Sequence, residues 1–171
     1  MKDKQFELLM KAYKLTDNVT PQRFDCGKLC NAACCKNLSS LSEKTGMQLL
    51  PYEKAFLEIN AENNYTYIKS GTTDVLICNG NCNRKFRPFA CRIFPYYASV
   101  TDTKISLKKD PRAASVCPLL LSKVYKRPNI FFLRNMKRAI RLLVSVPEIR
   151  QDLVENSEFI DSLYELYSKI K

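Results

Sequence analysis

The chain contains no histidine and only four glycines among its 171 residues. Without histidine there is no imidazole to bind a metal or to act as general base, so any acid–base chemistry would fall to carboxylates, lysines or tyrosines. Four scattered glycines do not make a phosphate-binding loop. These absences argue against a self-contained methyltransferase or hydrolase.

Long uncharged hydrophobic runs are also missing. The longest apolar segment, residues 130–146, is interrupted by four basic side chains, so no membrane span is predicted. Residues 1–17 carry lysines throughout and no apolar run of signal-peptide length. We therefore expect a cytoplasmic protein with no membrane partner, in a compartment where structural disulfides are rare.

Acidic residues are few: 17 against 28 lysines and arginines, for a net charge of +11. Such an excess is typical of nucleic-acid-binding proteins. The same charges equally form the solvated face of a helix over residues 130–144, so nucleic acid is a secondary hypothesis for the partner. The residues that would carry this binding are Lys123, Lys126, Arg127, Arg134, Lys137, Arg138 and Arg141.

What the chain does have is eight cysteines, in two groups and one later position. The first group has the spacing Cys-x3-Cys-x3-Cys-Cys, and the second has Cys-x3-Cys-x8-Cys. In a reducing compartment, thiols grouped in this way indicate metal ligands or redox groups before disulfides. We predict one or two all-cysteine metal centres. The predicted ligands are Cys26, Cys30, Cys34, Cys35, Cys78, Cys82, Cys91 and Cys117.

Adjacent Cys34 and Cys35 would point to opposite sides of an extended backbone, so both rarely serve one ion. Three interpretations remain: they feed two centres, one bridges two metals, or one ligates while the other packs or reacts. The metal is open between an iron–sulfur cluster (4Fe–4S type) and zinc. The chain lacks the Cys-x2-Cys pair typical of structural zinc sites, which puts iron–sulfur slightly ahead.

Hydrophobic periodicity predicts an α+β fold, with small antiparallel β hairpins and cysteine-rich loops packed with N- and C-terminal helices. We expect residues 1–118 to form a cysteine-cluster metal-binding domain with an N-terminal helix. Residues 119–171 are predicted as a helical C-terminal extension packed on the same domain. Helices are predicted over 3–15, 51–59, 130–144, 147–155 and 157–170, hairpins over 64–69 with 73–78 and over 96–100 with 104–108, and a loop over 79–95. Core positions in the helix over 130–144 are Phe131, Leu133, Met136, Ile140, Leu143 and Val144.

The segment from Arg87 to Pro95 reads Arg-Pro-Phe-Ala-Cys-Arg-Ile-Phe-Pro and fits the pattern RPxxCRxFP. Together with the upstream run ending in Cys34-Cys35, it resembles the signature of the YkgJ-like cysteine-cluster family of zinc- or iron-chelating proteins. The opening here is spaced more widely than that family's CxxCxxCC run. The resemblance covers about residues 24–118 and implies that the first seven cysteines form the chelating set, with Cys117 as a following cysteine. A similar cluster occurs in flagellin lysine N-methylases, which are much longer.

Arg87 and Arg92 are predicted as cofactor-binding residues, donating hydrogen bonds to cluster thiolates or sulfides, or else capping backbone carbonyls near the loop. The favoured function is a metal-binding protein with a structural or redox role. A metal-dependent enzyme, or an accessory protein of a modification system, is the alternative, and a protein partner is left open.

Overall fold

The computed structural model describes residues 2–36, 46–61, 65–77, 83–121 and 127–169. The helices are α1 (Lys2–Thr16), α2 (Cys26–Leu29), α3 (Ala33–Lys36), α4 (Glu53–Asn60), α5 (Phe89–Ile93), α6 (Pro118–Leu121), α7 (Ile130–Leu143) and α8 (Pro147–Lys169). The strands are β1 (Met47–Gln48), β2 (Thr66–Ser70), β3 (Thr73–Ile77), β4 (Tyr96–Val100) and β5 (Ile105–Lys109). Two 3-10 turns cover Arg84–Phe86 and Pro111–Ser115. The predicted α+β class is confirmed.

Both sheets are antiparallel and small. In the first, β3 lies between β1 and β2, and the β2–β3 turn contains Gly71 at a φ of 60°, a conformation that glycine adopts without steric cost. In the second, β4 pairs with β5 so that Tyr96 faces Lys109 and Val100 faces Ile105. Both predicted hairpins are therefore confirmed. Strand β1 is not predicted, because two residues are too short to show an alternating pattern.

The main core lies between α1 and α7 and extends to α4, α5 and α8. Leu9 and Ala12 of α1 and Phe132 and Met136 of α7 are completely buried in it. This packing follows from apolar residues recurring every three to four positions on both helices. Because the same core takes residues from both sides of position 118, the C-terminal helices and the cysteine-bearing part of the chain share one hydrophobic interior.

The prediction for α7 is wrong at one position. The periodicity predicts Phe131 in the core, but 62% of its surface is exposed. Phe132 points into the core instead and is fully buried. A helix turns by about 100° per residue, so only one of two adjacent phenylalanines can lie at the centre of its apolar face.

Two further segments differ from the prediction. Residues 147–169 form one helix rather than two. Ile149, Leu153, Ser157 and Ile160 are buried along a single face, so Ser157 continues the buried face and does not end the helix. The segment 79–95 was predicted as a loop. Its residues 79–82 lie outside those described, and the remainder contains a 3-10 turn and helix α5. Among the described residues, no helix combines the length and apolar content that crossing a bilayer requires.

Candidate metal centre

Helix α5 carries Cys91, and the residues around that cysteine fix its orientation. Pro88 precedes the helix and is buried. Phe89 and Ile93, one turn apart, are both buried in the core. Cys91 lies between them in sequence and therefore on the other side of the helix, where it is half-buried and lines a cavity. The proline and the two apolar residues thus present one thiol away from the core.

A fully buried carboxylate, Glu53, holds the start of α5 in place. Its oxygens accept hydrogen bonds from the Tyr13 hydroxyl at 2.5 Å, the Leu50 amide at 2.9 Å and the Phe89 amide at 2.7 Å. Burial raises the pKa of Glu53, while the three donors and nearby Arg92 favour its charged form. Glu53 is not predicted as a site residue from the sequence, because an acid in the first turn of a helix is ordinarily explained by the helix dipole alone.

Arg92 ties the turn before α5 to helix α1. The residue is buried, and its guanidinium carbon lies 4.1 Å from the centre of the Tyr13 ring. Nη1 donates to the Tyr13 carbonyl and the Thr16 hydroxyl, both at 3.3 Å. The other donors bind the carbonyls of Arg84, Lys85 and Arg87. Most of the hydrogen bonds of Arg92 therefore cap backbone carbonyls, which is one of its two predicted roles. Donation to a bound cluster stays a prediction.

The first cysteine group folds as two short helices, α2 and α3, separated by Asn31 and Ala32 in left-handed conformations with φ of 50° and 53°. Asp25 caps α2, because its side chain accepts from the Gly27 amide at 3.2 Å. The same carboxylate accepts from Arg84 Nη2 at 2.8 Å. Asp25 is only slightly buried, and the charge of Arg84 lowers its pKa despite that burial. The ion pair fastens the first cysteine group to the turn that precedes Cys91.

Cysteines from three separate stretches of the chain line one cavity of about 520 Å³. They are Cys30, Cys34, Cys35, Cys91 and Cys117, and none of them is in a disulfide. Arg84, Arg87 and Arg92 contribute to the same wall. Guanidinium groups near thiols favour the thiolate, which is the form that binds metals. The donor chemistry, sulfur without imidazole, suits soft metals and clusters.

The thiols in this cavity differ in acidity. A hydrogen bond from the Cys34 thiol lowers the pKa of Cys35 to about 6, with Arg87 acting in the same direction and burial opposing it. Burial raises the pKa of Cys117, and the neighbouring Cys30 sulfur adds to the increase. Of Cys35 and Cys117, Cys35 is therefore the more readily ionised near neutral pH.

The structure does not describe the side chains of three predicted ligands. Cys78 and Cys82 belong to residues that the structure does not describe, and for Cys26, the first residue of α2, only the backbone is described. Within the described residues, no group of three or more cysteine or acidic side chains is arranged to hold an ion. A metal ion fully coordinated at this cavity would thus require the thiol of Cys26, Cys78 or Cys82, or different side-chain torsions at the five cysteines of the lining.

A second cavity, of about 600 Å³, shares Cys34, Cys35, Cys91 and Arg87 with the first. Its other walls are mainly apolar and come from β1, β4 and α8. Asp152 of α8 lines it and accepts from Gln48 Nε2 at 3.3 Å. Burial raises the pKa of Asp152 to about 6. The cysteine-bearing wall is thus accessible from two chambers.

No protein-family model, no curated protein and no solved structure matches the chain.

Proposed function

We propose that the chain is a metal-binding protein whose centre is held by cysteine thiolates alone. The observation that carries this proposal is the assembly of five cysteines, from α2–α3, α5 and the segment before α6, around one cavity. Because these cysteines come from three separate stretches of the chain, it is the fold that brings their thiols together. Cys26, Cys78 and Cys82 belong to the same two sequence groups and are the remaining ligands that we propose.

The charge around the cavity supports this proposal. A divalent ion with four thiolates carries a net charge of −2, and an oxidised 4Fe–4S cluster with four thiolates carries the same charge. Lys28, Arg84, Arg87 and Arg92 line the cavity against two carboxylates, Asp17 and Asp25, so four positive and two negative side chains leave a net charge of +2. Because charges in a partly buried site are poorly screened by solvent, this compensation favours an anionic centre.

Iron–sulfur remains ahead of zinc in the proposal. Clusters accept all-cysteine ligation at varied spacings, whereas structural zinc sites are typically built on Cys-x2-Cys turns. The resemblance of residues 87–95 to the YkgJ-like signature supports chelation of either metal. When bound, a cluster would supply one-electron chemistry or structural cross-linking, and zinc would supply cross-linking alone.

The test is anaerobic purification of the full chain, followed by measurement of iron, zinc and acid-labile sulfide and by an absorption spectrum. A brown protein with iron and sulfide identifies a cluster; a colourless protein with zinc identifies a zinc centre. Cys91→Ser and Cys34→Ser should each lose most of the metal. Ser115→Ala, an exposed hydroxyl lining the neighbouring cavity, is the matched control and should keep it.

Circular dichroism of each variant separates loss of metal from loss of fold. The proposal fails if the wild-type chain holds neither metal after anaerobic reconstitution with iron and sulfide or with zinc. It also fails if metal content is the same in the wild type and in both cysteine variants.

A metal-dependent enzyme is the second candidate, and the adjoining 600 Å³ cavity is what favours it. A small molecule in that cavity would lie against Cys34, Cys35 and Cys91, and catalysis requires a metal position that a substrate can occupy. Titration with azide of the iron-loaded protein, or of the protein with cobalt(II) in place of spectroscopically silent zinc, tests this. A spectral change on addition of azide supports an open position, and an unchanged spectrum supports a closed, structural centre.

A further inference from the structure

The exposed side of helix α7 is strongly basic. The buried side of the helix consists of Phe132, Met136, Ala139, Ile140 and Leu143. The outward side consists of Ile130, Phe131, Arg134, Arg138 and Arg141, with half-buried Lys137 along its edge. We call these six residues the basic face. The helix has no acidic residue, so its side-chain charge is entirely positive.

The cations on the basic face are regularly spaced and available. Arg134, Arg138 and Arg141 follow each other at helical intervals of four and three, which places neighbouring side chains about 5–6 Å apart. Among the described residues, no carboxylate forms an ion pair with any of the four basic side chains of this face. A row of such charges along one helix side attracts a linear polyanion.

Two apolar residues stand at the start of the same face. Ile130 and Phe131 are 64% and 62% exposed, although the core beneath them is well filled. Asn129 fixes this end, because its side chain caps the helix and its amide donates to the Pro21 carbonyl at 2.8 Å. An exposed aromatic ring on a rigid helix start, beside a row of arginines, is the arrangement by which proteins stack an unpaired base while binding its phosphates.

We propose that the basic face binds single-stranded nucleic acid, with Arg134, Lys137, Arg138 and Arg141 on the phosphates and the Phe131 ring stacked on a base. A lipid surface fits less well, since an interfacial helix buries its apolar face in the membrane, and here that face is already buried in the protein core. A protein partner would have to match these four cations with carboxylates at helical spacing, whereas a phosphate backbone carries anions at regular intervals. Duplex bases are already stacked and offer no free face to Phe131.

Fluorescence anisotropy with fluorescein-labelled oligothymidylate and oligouridylate, over a series of salt concentrations, tests the proposal. Four phosphate contacts predict a slope of about −3 in a plot of log affinity against log salt. Arg134→Gln with Arg138→Gln should make that slope shallower by about 1.4. The charge-conserving pair Arg134→Lys with Arg138→Lys should keep it. Lys104→Gln with Lys109→Gln, which removes the same charge from exposed lysines of the β4–β5 hairpin, should also keep it.

Phe131→Ala provides an independent measurement, because stacking involves no counterion. It should weaken binding about tenfold at every salt concentration and leave the slope unchanged. The ring is exposed, so the variant should keep the wild-type circular dichroism spectrum and melting temperature.

Tight binding of either oligonucleotide with these variant effects supports the proposal. The proposal is overturned if neither oligonucleotide binds or if the double glutamine variant has the wild-type slope. Tighter binding to a duplex of the same length, or to phosphatidylserine vesicles, overturns it as well. None of these outcomes depends on the metal, so failure here and failure of the metal proposal are distinguishable.

Discussion

Replacing Arg92 by lysine should destabilise the protein far more than an ordinary exchange of one cation for another. The guanidinium makes five hydrogen bonds, four of them to backbone carbonyls. A lysine ammonium has three N–H groups on a single nitrogen and cannot span acceptors on two segments. At least two acceptors lose their partner, and each buried, unsatisfied group costs about 1–3 kcal/mol. We expect Arg92→Lys to lower the free energy of unfolding by about 2–6 kcal/mol.

Urea unfolding followed by circular dichroism, with the protein as purified and again after chelation, measures this loss. Arg84→Lys is the matched control: it lies in the same segment, but its ion pair with Asp25 is partly exposed to solvent, and the change should alter stability by less than about 1 kcal/mol. Equal losses of unfolding free energy in the two variants would refute the reasoning, because the buried Arg92 guanidinium would then contribute no more to stability than the Arg84–Asp25 ion pair. A loss that appears only before chelation would instead assign the effect of Arg92 to the metal.

Two further predictions concern the helical part of the molecule. Asp152 has a pKa raised to about 6 by burial, so the cost of ionising it is absent below pH 4 and is fully developed above pH 6. Asp152→Asn should therefore stabilise the protein at pH 7 by about 1–2 kcal/mol, allowing for its partial exposure, and should have little effect at pH 4; urea unfolding at both pH values, with exposed Glu158→Gln as the control, measures this. In α7, Phe132→Ala should cost about 3–5 kcal/mol and Phe131→Ala about 0.5 kcal/mol or less, and similar losses from the two changes would contradict the observed orientation of the helix.

Periodicity in the sequence predicts those elements that bury one face along their whole length. Helices α1 and α7 and both hairpins are of this kind, and their approximate bounds follow from apolar spacing alone. Helix α5 is not, because five residues are too few to show a period. It is held by hydrogen bonds to the Glu53 carboxylate and from the Arg92 guanidinium. These bonds join residues 36 apart, to α4, and 79 apart, to α1. No pattern local to residues 89–93 contains that information.

The same distinction applies to the candidate site. Clustering in the sequence singles out the cysteines, because thiols at such density are rare outside metal and redox sites. It does not predict which of them face one cavity, since that depends on the Asp25–Arg84 pair joining two distant segments. The RPxxCRxFP resemblance points to Arg92, but its contacts with Tyr13 and Thr16 depend on the path of helix α1, which lies outside the motif. Glu53 carries no recognisable signal at all.

Three cysteines belong to the lining of both cavities. Cys34, Cys35 and Cys91 are reached from an arginine-lined chamber on one side and from a chamber lined by β1, β4 and α8 on the other. An occupant of the second chamber would lie against these sulfurs and change the polarity that they experience. The colour or redox behaviour of a centre on the first side would then report what is bound on the second.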